Sequence, residues 1–390
     1  MAKQYATGQI AAAYIGTVVG AGFASGQEVL QFFGYFGLWG IFGLILATAL
    51  FIFFGYTVLR LGHQLAAESH LAVMHRAGGP WIGRAVDIIT TFFLFGALAV
   101  MAAGAGAIFS QEFHLPGFWG SSLLVIITLI TVLAGINRVI GSISLVAPVL
   151  ITSVMGISLV TVTRNLPAFI ANLSWSDMTR AAVPSWPLAA LLYASYNLVL
   201  AIAVLAPLGA LGRPEHLLPG AALGGLGLGL GAMAITLALI TTAPAVTALE
   251  VPMLHIAGSF TPLLRTFYSV VLLAEIYTTA VSSLYGFTAR MVRPGERNSF
   301  RWLAIGASTV ALVASQFGFS RLVATLFPLV GYAGLLLLGA LAYYALREAL
   351  PALRPGPVKR LAPAPARKPV KGKAIAERRR GGQEQQQKGR

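Results

Sequence analysis

Ala13-Tyr-Ile-Gly16-Thr17-Val-Val-Gly20-Ala-Gly22-Phe-Ala-Ser25-Gly26-Gln27-Glu28 is the stretch that decides how this chain folds. It lies inside a long apolar segment, yet it carries four glycines, the hydroxyl or amide side chains of Thr17, Ser25 and Gln27, and the carboxylate of Glu28. Glycine tolerates backbone conformations that other residues resist, so the pattern predicts a membrane helix that unwinds partway. Unwinding frees carbonyls to hold a cation and aims the N-terminus of the outer half-helix at a negative group. The blander reading is close helix packing, Gly16 with Gly20 and Gly22 with Gly26. Glu28 favours function, because an acid on a membrane helix is a functional candidate by default. Its place near the outer end of the span would also let it simply reach water.

The rest of the chain supports a membrane setting. Of 390 residues, 57% are hydrophobic and only 10% charged, and the mean hydropathy is +0.79. A soluble domain carries about 25% charge. The apolar residues fall in blocks of roughly 17–25, the length that crosses about 30 Å of hydrocarbon. The blocks are continuous rather than alternating, which predicts helices and not a barrel. They predict an all-α integral membrane protein of about ten transmembrane helices, near 8–32, 38–60, 86–111, 118–136, 141–162, 186–211, 217–242, 264–290, 301–318 and 321–346. Lys3 precedes an apolar run with small residues near Ala24, but that run continues past any cleavage point, so the first block reads as a span and not a signal peptide. The absence of cysteine excludes disulfides, thiolate metal sites and a cysteine nucleophile.

Charge gives orientation. With the N-terminus cytoplasmic, the inner segments hold ten Lys or Arg (Lys3, Arg60, Arg76, Arg84, Arg138, Arg213, Arg290, Arg293, Arg297, Arg301) and the outer ones four (Arg164, Arg180, Arg265, Arg321). That is the positive-inside pattern, and it predicts cytoplasmic termini and an even number of spans. Of the net +15, residues 347–390 carry +10, from 13 Lys or Arg against three acids. This Pro-, Ala-, Lys-, Arg- and Gln-rich tail cannot bury a core, and its charge sits where anionic lipid attracts it. The basic balance is therefore a tail property and not a sign of nucleic-acid binding.

Two connections are long. Gly62–Gly83 contains His63, His70 and His75, whose spacing does not fit one helical face, and it reads as an interfacial helix. Thr242–Pro262 reads as a short re-entrant hairpin on the outer side. The sixth span contains Tyr193-Ala-Ser195-Tyr196-Asn197, with Pro207 and Gly209 loosening its far end. The first and sixth spans occupy equivalent places if the chain is two five-span halves, about 1–162 and 186–346. Five is odd, so the halves enter the membrane from opposite sides. An inverted repeat with paired broken helices is what a transporter's binding site requires. On the eighth span Glu275, Thr278 or Thr279, and Ser282 share a face, suited to a proton relay or a hard cation. The Gly224–Gly231 run lies in an apolar helix and reads as helix packing. Asp87 and Glu112 sit at the two ends of the third span, facing water or capping neighbours. No Walker motif, HExxH or nucleophile elbow is present, which argues against an enzyme and against any cofactor beyond a coupling ion.

With these spans in hand, Gly16-Thr-Val-Val-Gly20-Ala-Gly22 resembles the first-helix glycine motif of the amino acid–polyamine–organocation transporters. The longer string through Ser25-Gly26-Gln27-Glu28, with Tyr193-Ala-Ser-Tyr-Asn197, is similar to the YkvI-like bacterial membrane proteins, over nearly all of residues 1–346. The resemblance implies a LeuT-like five-plus-five inverted repeat in a bacterial inner membrane, with helices one and six broken around a substrate. It implies a sodium ion held by the carbonyls of Gly16 and Val19 with Thr279, Ser282 and Ser283. Glu275 departs from that pattern and leaves coupling to protons open, with Glu28 a second candidate. Thr17 and Phe23 stand where sodium-dependent members carry asparagines, which puts a second sodium site in doubt.

The expected function is cation-coupled symport of an amino acid or similar small zwitterion, sodium favoured. Its carboxylate would meet amides near Ala21–Ser25, within a site of Thr17, Gly20, Ala21, Gly22, Ser25, Tyr193, Ser195, Tyr196 and Asn197. The alternatives are a proton-coupled carrier using Glu275 and a ligand-sensing receptor subunit on the same fold.

Overall fold

In the absence of water every backbone N–H and C=O must find a partner inside the chain, and the apolar blocks meet this demand as helices. A computed structural model of the chain describes residues 5–134, 140–293 and 295–349. The first apolar block forms three short helices in series, α1 (Thr7–Val18), α2 (Ala21–Ala24) and α3 (Gln27–Phe32). Then follow α4 (Leu38–Gln64), α5 (His70–Phe113), α6 (Gly117–Ala134), α7 (Ile140–Arg164), α8 (Leu166–Asn172), α9 (Trp186–Leu211), α10 (Pro214–Thr242), α11 (Pro252–Gly258), α12 (Pro262–Met291), α13 (Arg297–Ser315) and α14 (Phe319–Ala349). Among the described residues there is no strand.

Seven of these helices are each long and apolar enough to cross a bilayer: α4, α5, α6, α9, α10, α12 and α14. Pro148–Arg164 with α8, bent by 87°, makes an eighth candidate. The expected count of ten also needs the broken first block, whose pieces are short, and the less apolar 19-residue α13. Large apolar side chains such as Ile45, Ile130, Leu230 and Val313 are exposed along these helices, as lipid-facing positions require.

The near face of the bundle is the end where α1 begins, and the far face is where α3 finishes. Helix one lies along α10, and the glycine run of α10 is its bed. A methyl group placed on Gly220 would meet Ile10 at 2.6 Å, one on Gly224 would meet Tyr14 at 2.7 Å, and one on Gly231 would meet Phe23 at 3.0 Å. α4 packs on α9 just as closely, since a Cβ on Gly62 would lie 2.1 Å from the Ala206 carbonyl oxygen and one on Gly209 as close to that of Leu59. Small residues let helix backbones approach in this way.

One expectation changes here. The sixth span, α9, is one continuous helix. Its middle, Leu192–Ala206, contains no glycine or proline, so nothing loosens the backbone where Tyr193 and Asn197 sit. Pro207 lies in the last turns and does not end the helix. The connection holding His70 and His75 does form a helix of its own, which meets the third span at a break where Gly79 is non-helical (φ 80°, ψ 179°) ahead of Pro80. The Thr242–Pro262 connection is a buried plug built on α11, with Met253, Leu254 and Ile256 inaccessible. It is pinned on the far side by the Tyr35 hydroxyl, which donates to the Thr247 carbonyl (2.9 Å), and by the Asn172 amide, which donates to those of Thr241 and Ala243 (3.2 and 2.9 Å). Lys3, Arg138 and the basic tail beyond 349 lie outside the described residues.

Candidate functional site

Helix one breaks twice, and each break has its own chemistry. α1 closes with the Val19 N–H donating to the Ile15 carbonyl (2.8 Å). Val19 and Gly20 are then extended (φ −71°, ψ 113° and φ −131°, ψ −173°). One turn of helix follows and ends at Gly26, whose φ of +79° is open to glycine but costly for other residues. At the first break, no hydrogen bond among the described residues ends on the carbonyls of Gly16, Thr17, Val18 or Val19. These are the groups a helix end leaves without a partner. Nothing lies within 4 Å of where a Cβ would stand on Gly16 or Gly20. This break opens on free space.

The second break is sealed. The Tyr268 hydroxyl donates to the Ala24 carbonyl (2.5 Å), and the Met253 N–H donates to that of Ser25 (3.0 Å). The Ser25 hydroxyl donates to the Gly22 carbonyl (2.8 Å) and the Gly26 N–H to that of Phe23 (3.1 Å). Every residue from 21 to 37 is buried. The amides of Ala24, Ser25 and Gly26 are also engaged, donating to Gly20, Ala21 and Phe23, which leaves only the Ala21–Phe23 end of the expected amide cradle free of intrahelical partners.

Glu28 does not reach water. It is 5% exposed, and the second break turns its side chain inward. Its Oε2 lies 2.6 Å from where a Cβ on Gly22 would stand, so any side chain at position 22 would have to displace the carboxyl. Its Oε1 accepts a very short hydrogen bond from the Tyr196 hydroxyl. The side chains of Asn197 and Tyr193 also interact with the carboxyl. The Tyr193 hydroxyl is buried and closes no hydrogen bond. Asn197 donates to the Tyr193 carbonyl one turn back (3.0 Å). Aromatic rings enclose the group: Phe32 stands 5.6 and 5.5 Å from Tyr193 and Tyr196, and Phe327 5.1 Å from Tyr196. Tyr193, Tyr196 and Asn197 share one face of α9, whereas Ser195 lies on the opposite face. Its hydroxyl donates to the Gly331 carbonyl of α14 (2.7 Å), away from Glu28. Thr17 bonds back to Ala13 (2.7 Å).

The eighth span runs antiparallel to helix one. Its far end holds Tyr268, bonded to Ala24; Glu275 and Ser282 follow seven and fourteen residues later on the same stripe. At 1.5 Å per residue Glu275 lies about 10 Å nearer the near face than Tyr268, towards the level of the open break. Glu275 is 6% exposed, and no hydrogen bond or ion pair of its carboxylate occurs among the described residues. Thr278 donates to the Glu275 carbonyl (3.0 Å) and Ser282, which is exposed, to those of Thr278 and Thr279 (2.9 and 3.0 Å). Ser283 is buried and Thr279 half-buried.

Ion pairs tie both ends of α5 to α12. At the near end Arg290 bonds Asp87 (2.5 Å), with His70 3.7 Å from the same oxygen. At the far end Arg265 bonds Glu112 (2.6 Å) and donates to the Gln111 carbonyl (3.1 Å). Glu250, in the loop before α11 and outside the spans, interacts with the first amides of α14 at Phe319 and Ser320; burial pushes its carboxyl above the usual range despite those bonds. Tyr268, Met253 and Phe327 were not among the sequence candidates. An isolated tyrosine, a backbone amide and a phenylalanine carry no motif, and only the tertiary fold brings them to helix one.

No known family model matches the chain. It is 30% identical over 338 residues to the uncharacterized membrane protein YkvI of Bacillus subtilis (strain 168), covering 85% of this chain and 94% of that protein. It is 29% identical over 334 residues to the uncharacterized protein YyaD of the same organism, with the same coverage. Among solved structures it resembles MhsT in complex with L-phenylalanine (TM-score 0.57, 19% identity, 85% of this chain and 88% of that one). It also resembles Mhp1, a nucleobase-cation-symport-1 family transporter, in an inward-facing conformation (0.54, 13%, 89% and 78%). A third is the Eremococcus coleocola manganese transporter (0.50, 16%, 86% and 77%). These are membrane transporters and not enzymes, and the likeness establishes a LeuT-like fold.

Proposed function

The chain belongs to the family of the YkvI membrane protein, and on that premise we propose that it is a secondary transporter of a small solute working by alternating access. One observation carries this reading. A single helix holds two breaks, one whose carbonyls are met by donors and one with open space beside Gly16 and Gly20. A solute gripped between them meets one side of the membrane at a time. The asymmetry of Lys and Arg supports a cytoplasmic near face, and on this reading the protein sits in a bacterial inner membrane with both termini inside and its open break serves the cytoplasmic side.

Sodium is the favoured coupling ion. The unpartnered carbonyls of Gly16 and Val19 supply hard oxygen ligands, and Thr279, Ser282 and Ser283 would complete the shell when α12 closes on helix one. An ion bridging the two would rigidify the break and raise solute affinity, and the coupling is reciprocal. The expected solute is an amino acid or a similar amine-bearing molecule. Uptake into proteoliposomes, with sodium or choline outside, tests both points. Ser282→Ala should weaken the sodium dependence, and an unchanged sodium response would remove Ser282 from the ion site.

A second reading draws on Glu275. A carboxylate buried near the open break with no partner among the described residues suits a proton carrier. If protons drive transport, Glu275→Gln loses the pH dependence of uptake; retained dependence excludes this reading. The basic tail adds affinity for anionic lipid at the inner surface, and vesicle binding of the isolated tail peptide would measure it.

A further inference from the structure

Glu28 poses a problem of charge. It sits beside Gly22 in the broken stretch of helix one, 5% exposed and walled by rings. Among the described residues, ion pairs join Asp87 to Arg290 and His70, Glu112 to Arg265, and Asp177 to Arg180, and none reaches Glu28. Tyr196 donates a hydrogen bond to it, but a hydroxyl brings no net charge. A carboxylate taken out of water without a counter-charge is strongly disfavoured. The neutraliser therefore comes from outside the protein, as a proton or as a cationic group.

We propose that Glu28 is the receptor for an ammonium group on the transported solute, and that the substrates are amines without a neighbouring free carboxylate. This rests on the transporter reading above and narrows it. Three observations point to a ligand and not merely to a buried acid. The carboxyl lies against Gly22, in the single helical turn between the two breaks of helix one. The Tyr193 hydroxyl, 1% exposed, interacts with the same carboxyl yet makes no hydrogen bond, so a polar group stands ready beside it. The rings of Phe32, Tyr193 and Tyr196, with centroids 5.5–5.6 Å apart, pack together beside the carboxyl, an aromatic lining of the kind that suits a cation. A zwitterion fits less well, because its carboxylate would share this low-dielectric space with that of Glu28, and like charges there repel strongly. The amides expected to receive it at Ala24 and Ser25 are already engaged.

The test uses the purified full-length chain in detergent. Its thermal midpoint is followed against matched triplets, such as phenylalanine, 2-phenylethylamine and 3-phenylpropionate, with parallel sets built on the leucine and lysine skeletons and neutral solutes as controls. The amine of a productive set should raise the midpoint most, the amino acid less and the deaminated acid not at all. Glu28→Gln should weaken amine binding by roughly tenfold or more, as loss of a charged hydrogen bond implies. Should that variant fail to fold, Tyr196→Phe serves instead. It frees the carboxylate from its present donor, so amine binding should hold or tighten. A deaminated acid binding as well as its amine, amine binding undiminished in Glu28→Gln, or a tenfold loss in Tyr196→Phe would each overturn the proposal. If amines leave the midpoint unmoved while neutral solutes raise it, Glu28 holds a proton and the ammonium assignment fails while transport stands. Silence from every class of solute would instead bring down the transporter reading itself.

Discussion

The two breaks of helix one are built from similar residues and end in opposite states. Both use glycine, and both lie in the same apolar span. At Val19–Gly20 the freed carbonyls of Gly16 to Val19 meet no donor, and open space adjoins Gly16 and Gly20. At Ser25–Gly26 each freed carbonyl has a donor, two of them brought from α11 and α12. What makes a break a site is therefore not the glycine but what packs against it. A break met by neighbouring donors is a hinge held shut, while one left without donors can take a ligand.

The largest effect that would sharpen this contrast is at the sealed break. Gly26→Ala puts a methyl 2.7 Å from the Met253 side chain, on a backbone of φ +79°. Left-handed backbone costs about 1–3 kcal/mol for a residue with a Cβ, and the overpacking adds a comparable amount. A clear fall in the thermal midpoint of the purified protein is expected; an unchanged midpoint would mean that this break is not held as described. Next comes Tyr268→Phe, which strips the Ala24 carbonyl of its donor. A buried acceptor left without one costs about 1–3 kcal/mol, and the same melting experiment should register it, with the far side becoming more accessible.

Gly16→Ala should move the midpoint the other way. It lies in the last turn of α1 with nothing within 4 Å of its would-be Cβ, so the gain is the helix propensity of alanine over glycine, about 1 kcal/mol at most. A loss comparable to that of Gly26→Ala would mean the open break is also packed, and the comparison would collapse. The smallest effect concerns the plug. Burial raises the Glu250 carboxyl, so its contribution is complete below the ordinary carboxylate range and is lost as pH rises through its elevated value in the fold. Stability should therefore decline as pH rises through that window, and Glu250→Gln should flatten the profile; an identical slope in the variant would contradict the assignment.

Much of this was readable from residue order alone. Gly16, Gly20, Gly22 and Gly26 mark the stretch that unwinds, though not that it breaks twice, and the Gly224–Gly231 run reads as packing, as the fold has it. Span six was read as broken by analogy with span one, but its middle has no glycine, and backbone freedom decides whether a helix unwinds. The sequence marks Glu28 as a functional candidate but leaves open that it reaches water, because it lies late in a linear span. The Gly26 turn sends it back against Gly22 and Tyr196, and a turn's direction is a tertiary fact. Tyr193 and Tyr196 stand together in the sequence and meet Glu28 in the fold; Ser195 is grouped with them by proximity, although helical geometry puts it on the other face. Two of the donors that close the second break, Tyr268 and Met253, come from residues more than 200 positions away, a separation no local pattern spans.

The central claim is that one break is open to the near face and the other sealed from both sides. Because the chain contains no cysteine, single replacements report directly. Gly16→Cys and Ser25→Cys would be labelled with a membrane-impermeant thiol reagent in vesicles of known orientation, without added solute. The account predicts rapid labelling at position 16 from the cytoplasmic side only and protection at position 25 from either side. Equal labelling at the two positions, or labelling at position 25 alone, would contradict it.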